Sequence, residues 1–374
     1  MKLHLWIFIF NFQAASIATA ADFIFNPRYE VIRQNETGNE PGKEILIHRT
    51  LVQSHFLAQS SREKFYIDGF GEYEGASSSQ REWRRQENRA YLQEAYIEFT
   101  GDLFFMKIGQ QALRWSDSWI LPSLDVWTGR RYERMFVDPL PQQLSHSAGA
   151  AFTIAQEKWS ADLALIPEAA ENSFPKPFPK KLTVHEKEPL NIGLRTKFEV
   201  SGFQSTLVAA RVLRKNTFGY AGSFAFEQFV PKFELGTTQN EQKDDAFVRR
   251  RLNFASLGAD IFIGQLTLTP QVTAFDGLNP YLEENDAQAL SYLSCLYTSG
   301  RHEWQWQSFT NSIYRSFFWG GIYTYTIQQK WSLSAMVQNY SGLPESLLGK
   351  IQTETGGILV GLRAQFTTDL FKKD

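Results

Sequence analysis

The chain is poor in cysteine and methionine, carries no charge excess, and has no long apolar run beyond its first residues. Its one cysteine, Cys295, excludes an internal disulfide and any Cys-rich metal cluster. Lys and Arg total 38 against 40 Asp and Glu, a formal net charge of −2. Without a basic excess the composition does not point to nucleic acid. After residue 20 no stretch of about 18 or more uncharged, strongly apolar residues occurs, so there is no candidate transmembrane helix. There is no Walker loop and no dinucleotide fingerprint. His48, His55, His185 and His302 are scattered without metal-ligand spacing, and neither a metal nor any other cofactor is expected.

Aromatic side chains, by contrast, are abundant: 31 Phe, 14 Tyr and 10 Trp, 15% of 374 residues. A small soluble core cannot use that many. The first residues are also informative. A weakly positive start, Met1-Lys2, precedes a mostly apolar run from Leu3 to Phe12, interrupted by His4 and Asn11. Ala18-Thr19-Ala20 then supplies a small-x-small cleavage pattern. This reads as a secretory signal peptide over residues 1–20, and the alternative is a short N-terminal helix kept in the mature chain. An exported chain without a helical anchor is either soluble outside the cytoplasm or a barrel in an outer membrane.

Residues beyond 20 alternate with a period of two in many segments of about ten residues. In one, Tyr91, Ala95, Ile97 and Phe99 oppose Glu94, Tyr96 and Glu98. After Thr100-Gly101-Asp102, Phe104, Met106 and Ile108 oppose Lys107, Gly109 and Gln111. Ile192, Leu194, Thr196, Phe198 and Val200 oppose Gly193, Arg195, Lys197 and Glu199. The segment after Ser201-Gly202 is less regular, because Val208 and Val212 fall on its polar side. Near the end, Ile358, Val360, Leu362, Ala364 and Phe366 oppose Leu359, Gly361, Arg363 and Gln365.

A closed membrane barrel predicts this pattern. In hydrocarbon every backbone N–H and C=O must be paired, and a closed sheet has no edges. Its lipid face is apolar and its lumenal face polar. A soluble sandwich also alternates, with its apolar face packed inward. Aromatics near strand ends (Phe65, Tyr91, Phe99, Phe218, Tyr220, Phe224, Phe226, Trp331, Tyr340) suit girdles at the headgroup level. Connectors alternate between short turns and long loops, the latter placed at Gly75 to Asn88, Trp115 to Ser145, Pro167 to Asn191, Thr238 to Arg250, Gly277 to Asp286 and Tyr340 to Thr355. The expected fold is all-β, a transmembrane antiparallel up-and-down barrel of about 16 strands, range roughly 14 to 18. It forms one domain over residues 21–374, with the long loop at 115–145 as the candidate inward fold.

Glu94-Ala95-Tyr96, Gly101-Asp102, Gly109-Gln110-Gln111, Arg114-Trp115-Ser116-Asp117 and Leu124-Asp125-Val126 together resemble a region of Gram-negative porin-like outer-membrane barrels, particularly alginate-export-type and related families. Ser116 stands where those families have Gly. The resemblance covers residues 91–140 only. It implies a class of barrel and no particular solute.

The connector from Trp115 to Ser145 carries Asp117, Asp125, Arg130, Arg131, Glu133, Arg134 and Asp138 among apolar residues. Charges on a loop folded into a lumen set ion preference; on an external loop they are ordinary surface charge. The candidate pore-lining residues are Glu94, Glu98, Lys107, Gln111, Arg114, Asp117, Asp125, Arg130, Arg131 and Arg134. Arg81, Arg84, Arg85 and Arg89, and Arg249-Arg250-Arg251, sit at loop-to-strand borders, where they meet lipopolysaccharide or an anionic solute, or simply water. Nucleophilic catalysis needs Ser, His and an orienting third group together; no pattern around Ser145-His146-Ser147 matches such an enzyme, and no enzymatic activity is expected. Phe371 lies near the C-terminus but is followed by Lys372-Lys373-Asp374, which weakens it as a signal for barrel-assembly machinery.

These features favour an outer-membrane channel for small hydrophilic or anionic solutes. Its expected partners are outer-membrane lipid and lipopolysaccharide, its solutes, the assembly machinery and further copies of itself. A plugged or enzymatic barrel and a soluble exported glycan-binding β protein remain as alternatives.

Overall fold

A computed structural model describes residues 20–36, 43–78, 83–116, 124–127, 129–130, 144–168, 190–240, 251–276, 288–311, 315–327, 330–343, 346, 348–349, 352, 357–366 and 368–373. Residues 1–20, expected from the sequence to be a signal peptide, lie outside the described residues except for Ala20. In chain order the strands are β1 (Ala20–Glu36), β2 (Lys43–Gln59), β3 (Glu63–Ser78), β4 (Trp83–Thr100), β5 (Phe104–Gln111), β6 (Gly129–Arg130), β7 (Leu144–Ser145), β8 (Ser147–Gln156), β9 (Trp159–Glu168), β10 (Asn191–Val200), β11 (Phe203–Val212), β12 (Lys215–Phe224), β13 (Phe229–Asn240), β14 (Arg251–Ile263), β15 (Leu266–Asp276), β16 (Gln288–Ser299), β17 (His302–Asn311), β18 (Ser316–Ile327), β19 (Trp331–Ser341), β20 (Ile358–Phe366) and β21 (Thr368–Lys373).

All but β6 and β7 form one sheet in which each strand pairs antiparallel with the next. The short β6 and β7 pair only with each other. β20 and β21 follow one line along the same edge of β1, and β1 also pairs with β2. The sheet therefore closes on itself as an 18-stranded barrel, at the upper end of the expected range. Closure pairs the backbone groups around the ring where neighbouring strands overlap.

Connectors differ at the two ends. At one, β2–β3, β4–β5, β8–β9 and their equivalents are joined by two to four residues. Ser201 and Gly202, at φ 51° and 79°, form a two-residue turn of the kind that matches strand twist. At the other end lie most of the long loops. Two of these are shorter than the alternation suggested. β3 and β4 run on to leave only residues 79–82 between them, and β13 extends to Asn240. β4 has 18 residues yet pairs with β5 only over Ala95–Thr100, so β1 to β4 project past the wall at the loop end.

Burial shows which face is which. Leu194, Leu207, Phe218, Leu235, Leu257, Val272, Leu333 and Leu362 are exposed, while Arg28, Glu30, Arg49, Glu72, Asp162, Glu234, Gln271 and Gln338 are buried. In a closed barrel the buried face is the inside. This arrangement inverts that of a soluble protein and is the one a lipid-facing wall requires. One alternation shifts: a bulge in the β3–β4 pairing at Asp68/Gly69 leaves Leu92 exposed and Gln93 buried. The face read through Tyr91 therefore does not continue unbroken to Phe99. Tyr340, placed above in an interfacial girdle, is instead buried inside, its ring 5.1 Å from that of Phe318.

The wall closes through charge as well as through its ladder. Glu30 on β1 is fully buried and receives Arg28 at 3.0 Å, Arg49 of β2 at 3.2 Å, and Arg363 of β20. Arg49 also bonds Glu72 of β3. One carboxylate thus joins the first, second and last strands from within. Replacing Glu30→Gln leaves buried guanidinium groups around a neutral amide, and breaking such a pair costs about 3–5 kcal/mol. The heat-modifiability midpoint on unboiled gels should fall markedly; an unchanged midpoint would show that the network contributes nothing to closure.

Candidate functional site

After Gln111 the chain leaves the wall and enters the barrel. Its departure is fixed at the root. The backbone N–H of Ala112 donates to Glu94 at 2.9 Å. Gln110 donates to the Leu92 carbonyl at 2.6 Å, and Gln111, almost fully buried, donates to the carbonyls of Lys107 and Gly149 at 3.2 Å each. Gly109 has φ +131°, and a Cβ there would overlap the Ala95 carbonyl. This left-handed conformation favours glycine and lies where the strand must turn inward.

The segment then lies along the inner face of β10 to β13. Trp115 and Trp127 pack edge to face at 5.1 Å, and a Cβ at Gly193 of β10 would come within 2.8 Å of Trp115 and 2.5 Å of Trp127. A Cβ at Gly219 of β12 would overlap the end of the Leu124 side chain. The Ser116 hydroxyl donates to Glu234 of β13. Arg195 of β10 donates to Asp162 at 2.7 Å and to the Arg114 carbonyl at 2.8 Å, with its guanidinium 5.7 Å from the Trp115 ring. The return is held by Ser147, whose hydroxyl donates to the Trp127 carbonyl at 2.5 Å, and by His146, whose Nδ1 donates to the Gln93 carbonyl at 2.7 Å.

These contacts explain the irregular alternation of β11. Val208 and Val212 point inward, and they belong to the same buried apolar cluster as Leu113, Trp115, Leu124 and Trp127. A lumenal face covered by an apolar loop is not bound by the polar-inside rule. The cluster continues through Phe275, Tyr292, Phe309, Phe318 and Tyr340 to Leu348, in the connector after β19.

The candidate residues fall into three groups. Glu94, Glu98, Lys107 and Gln111 share the inner face of β4 and β5. Lys107 lies 3.8 Å from Glu98 and 4.0 Å from the Tyr96 ring centroid. Arg114 and Asp125 belong to the entering segment, Arg114 exposed and Asp125 half-buried. For Arg130 only the backbone, in β6, is described, and Asp117, Arg131 and Arg134 lie outside the described residues. The alternation pointed inward for Arg195 and Arg363, which the structure pairs with Asp162 and Glu30. Sequence reasoning missed Arg28, Glu30, Arg49 and Glu72. The two-residue spacing Arg28-x-Glu30 was the available signal, but Pro27 within the segment obscured the strand. Among the described residues no group of three or more His, Cys, Asp or Glu side chains could hold a metal ion.

The molecule is thus an antiparallel up-and-down barrel with a connector packed inside it. Comparison with solved structures agrees in fold. OccAB4 of Acinetobacter baumannii superposes with a TM-score of 0.62 at 8% identity, covering 94% of this chain and 99% of that one. OccK5 (OpdH) of Pseudomonas aeruginosa gives 0.59 at 8% identity over 95% and 99%, and OpdQ of the same organism 0.60 at 8% over 94% and 98%. No protein-family model matches the sequence, and no curated protein does.

The loop's seat can be tested by filling it. Gly219→Leu should push Leu124 off the wall, so that the folded protein becomes cleavable by trypsin within 112–146. Unchanged resistance would mean that the wall yields and the loop stays.

Proposed function

We propose that this chain is an outer-membrane channel through which small hydrophilic or anionic solutes diffuse, narrowed by the segment that enters after Gln111. The observation that carries this is the inversion of faces, with large apolar residues outside, buried ion pairs inside, and a connector anchored across the interior. The fold is shared with the Occ and Opd outer-membrane porins, which supports the same reading. The resemblance of residues 91–140 to alginate-export-type barrels adds the class and no solute. In this reading residues 1–20 are a signal peptide removed on export, and the strand bearing Phe371 is delivered to barrel-assembly machinery. The loop end meets the lipopolysaccharide leaflet, and further copies of the chain remain candidate partners.

Width and charge do the filtering. Glu94, Glu98, Lys107 and Gln111 line the wall beside the loop, with Arg114, Asp117, Asp125, Arg130, Arg131 and Arg134 on the loop itself. The described lumenal cations are largely balanced by neighbours: Arg195 by Asp162 at 2.7 Å, Lys232 by Asp260 at 2.5 Å, Lys107 by Glu98 at 3.8 Å. Paired charges cancel at a distance, so the wall alone imposes a weak field and the loop charges set the preference.

The test is conductance of the refolded protein in a planar bilayer under a salt gradient. Discrete steps are expected. Asp162→Asn, which leaves Arg195 without its carboxylate, should move the reversal potential toward anions. A folded, heat-modifiable barrel that never conducts would overturn the channel. That outcome would favour a plugged barrel, which the nearly complete burial of Trp115, Leu124 and Trp127 also suits. A hydrolase has less support, because both Ser147 and His146 are bonded to backbone carbonyls.

The membrane placement has its own test. Leu257, in the middle of β14, is 67% exposed. Leu257→Arg should cost about 2–4 kcal/mol if that position faces the bilayer midplane, read as a lowered urea midpoint in lipid vesicles. In a soluble protein the substitution would be close to neutral.

A further inference from the structure

The outer wall carries a feature that a solute channel does not need. On β11 to β14 the outward positions are apolar along most of the strand: Leu207, Phe218, Leu235 and Leu257 are all about half exposed or more. At the loop end each of these strands turns polar on that same outward face. The four residues concerned are direct cross-strand partners: Arg211 pairs with Asn216, Asn216 with Gln239, and Gln239 with Arg251. Two arginines therefore bracket two amides in one row across the sheet. Adjacent strands are about 4.8 Å apart, which puts roughly 14 Å between the two arginine backbones.

Arg251 is set up to receive an anion. Its Nε donates to Thr237 Oγ1 and to Asn253 Oδ1, both at 3.1 Å. Both acceptors are neutral, and no carboxylate among the described residues forms an ion pair with it. Asp276 of β15, outward on the same face, accepts from Asn253 at 3.4 Å. These bonds engage Nε, and a guanidinium's planar fork of donors suits phosphate oxygens. The position matters as much as the chemistry. An outward site just above an apolar wall faces the headgroups of the surrounding lipid, where basic side chains meet anionic lipid.

We propose that Arg211, Asn216, Gln239 and Arg251 form a binding site for the phosphate groups of a glycolipid in the outer leaflet. The spacing admits a headgroup with two phosphates, one at each arginine, with the amides donating to the sugar or phosphate oxygens between them. The inference rests on the membrane placement given above, not on whether the lumen conducts.

The full chain, folded in detergent micelles, would be titrated with purified diphosphoryl lipid A and the bound fraction read by native mass spectrometry. The double variant Arg211→Gln/Arg251→Gln should lose at least tenfold in apparent affinity. Arg301→Gln, at the turn end, serves as the control and should behave as the parent. Gel heat-modifiability confirms that each variant is folded. Equal retention by the double variant would overturn the site. Competition by inorganic pyrophosphate at concentrations equal to the lipid's would overturn the lipid assignment, showing a site for free phosphate. Bilayer conductance of the same samples separates the two readings. A protein that binds the glycolipid through these arginines but never conducts keeps this site and loses the channel.

Discussion

Everything in this molecule follows from the need to pair every backbone N–H and C=O of a sheet whose outside is apolar. An open edge in hydrocarbon leaves a row of unsatisfied groups, each costing several kcal/mol. The chain answers by joining β1 to both β2 and the β20–β21 line. Once the wall is closed, side-chain alternation divides the residues between lipid and interior, and each face can be read from that division. The Glu30 network, with Arg28, Arg49 and Arg363, sits on the closing seam, so charge and ladder agree about which strands are neighbours.

The interior then has a second problem. An 18-stranded wall encloses more space than its own side chains can fill. Here the connector between β5 and β8 occupies part of that space. The wall is cut back to receive it: Gly193 and Gly219 remove side chains where Trp115, Trp127 and Leu124 lie. Glu94 and Glu234 bond the segment near its start, one through the Ala112 N–H and the other through the Ser116 hydroxyl. The loop is therefore a packed part of the barrel, with hydrogen bonds to β4, β10 and β13. Polar wall and apolar loop coexist because the polar-inside rule applies only where water reaches.

How much of this was legible beforehand varies with the physics of each element. The strand pattern around Glu94, Glu98, Lys107, Arg195 and Arg363 was readable, because period-two alternation with charge on one face is a local property. The less regular β11 was also correctly read as irregular, although its cause, an apolar loop lying on Val208 and Val212, is tertiary and leaves no local mark. The bulge at Gln93 and the inward position of Tyr340 were not legible. A bulge inserts one residue and reverses parity without any compositional signal, and Tyr340 alternates correctly but at a height where the interior is filled. The arginine–glutamate cluster was missed because its members lie on four strands, between residues 28 and 363, and no window of sequence contains them together.

The seam between β1 and β20 joins residues far apart in the chain, 333 positions for Glu30 and Arg363. Loop-closure entropy delays such contacts until the intervening chain is ordered. The barrel cannot seal while its C-terminal strands are still missing. Until then, the first strand and the last completed one both present free edges, each able to accept a strand from elsewhere. A chain shortened before β20 would keep seventeen strands in register and still be an open sheet. Its hazard would be aggregation with its own kind.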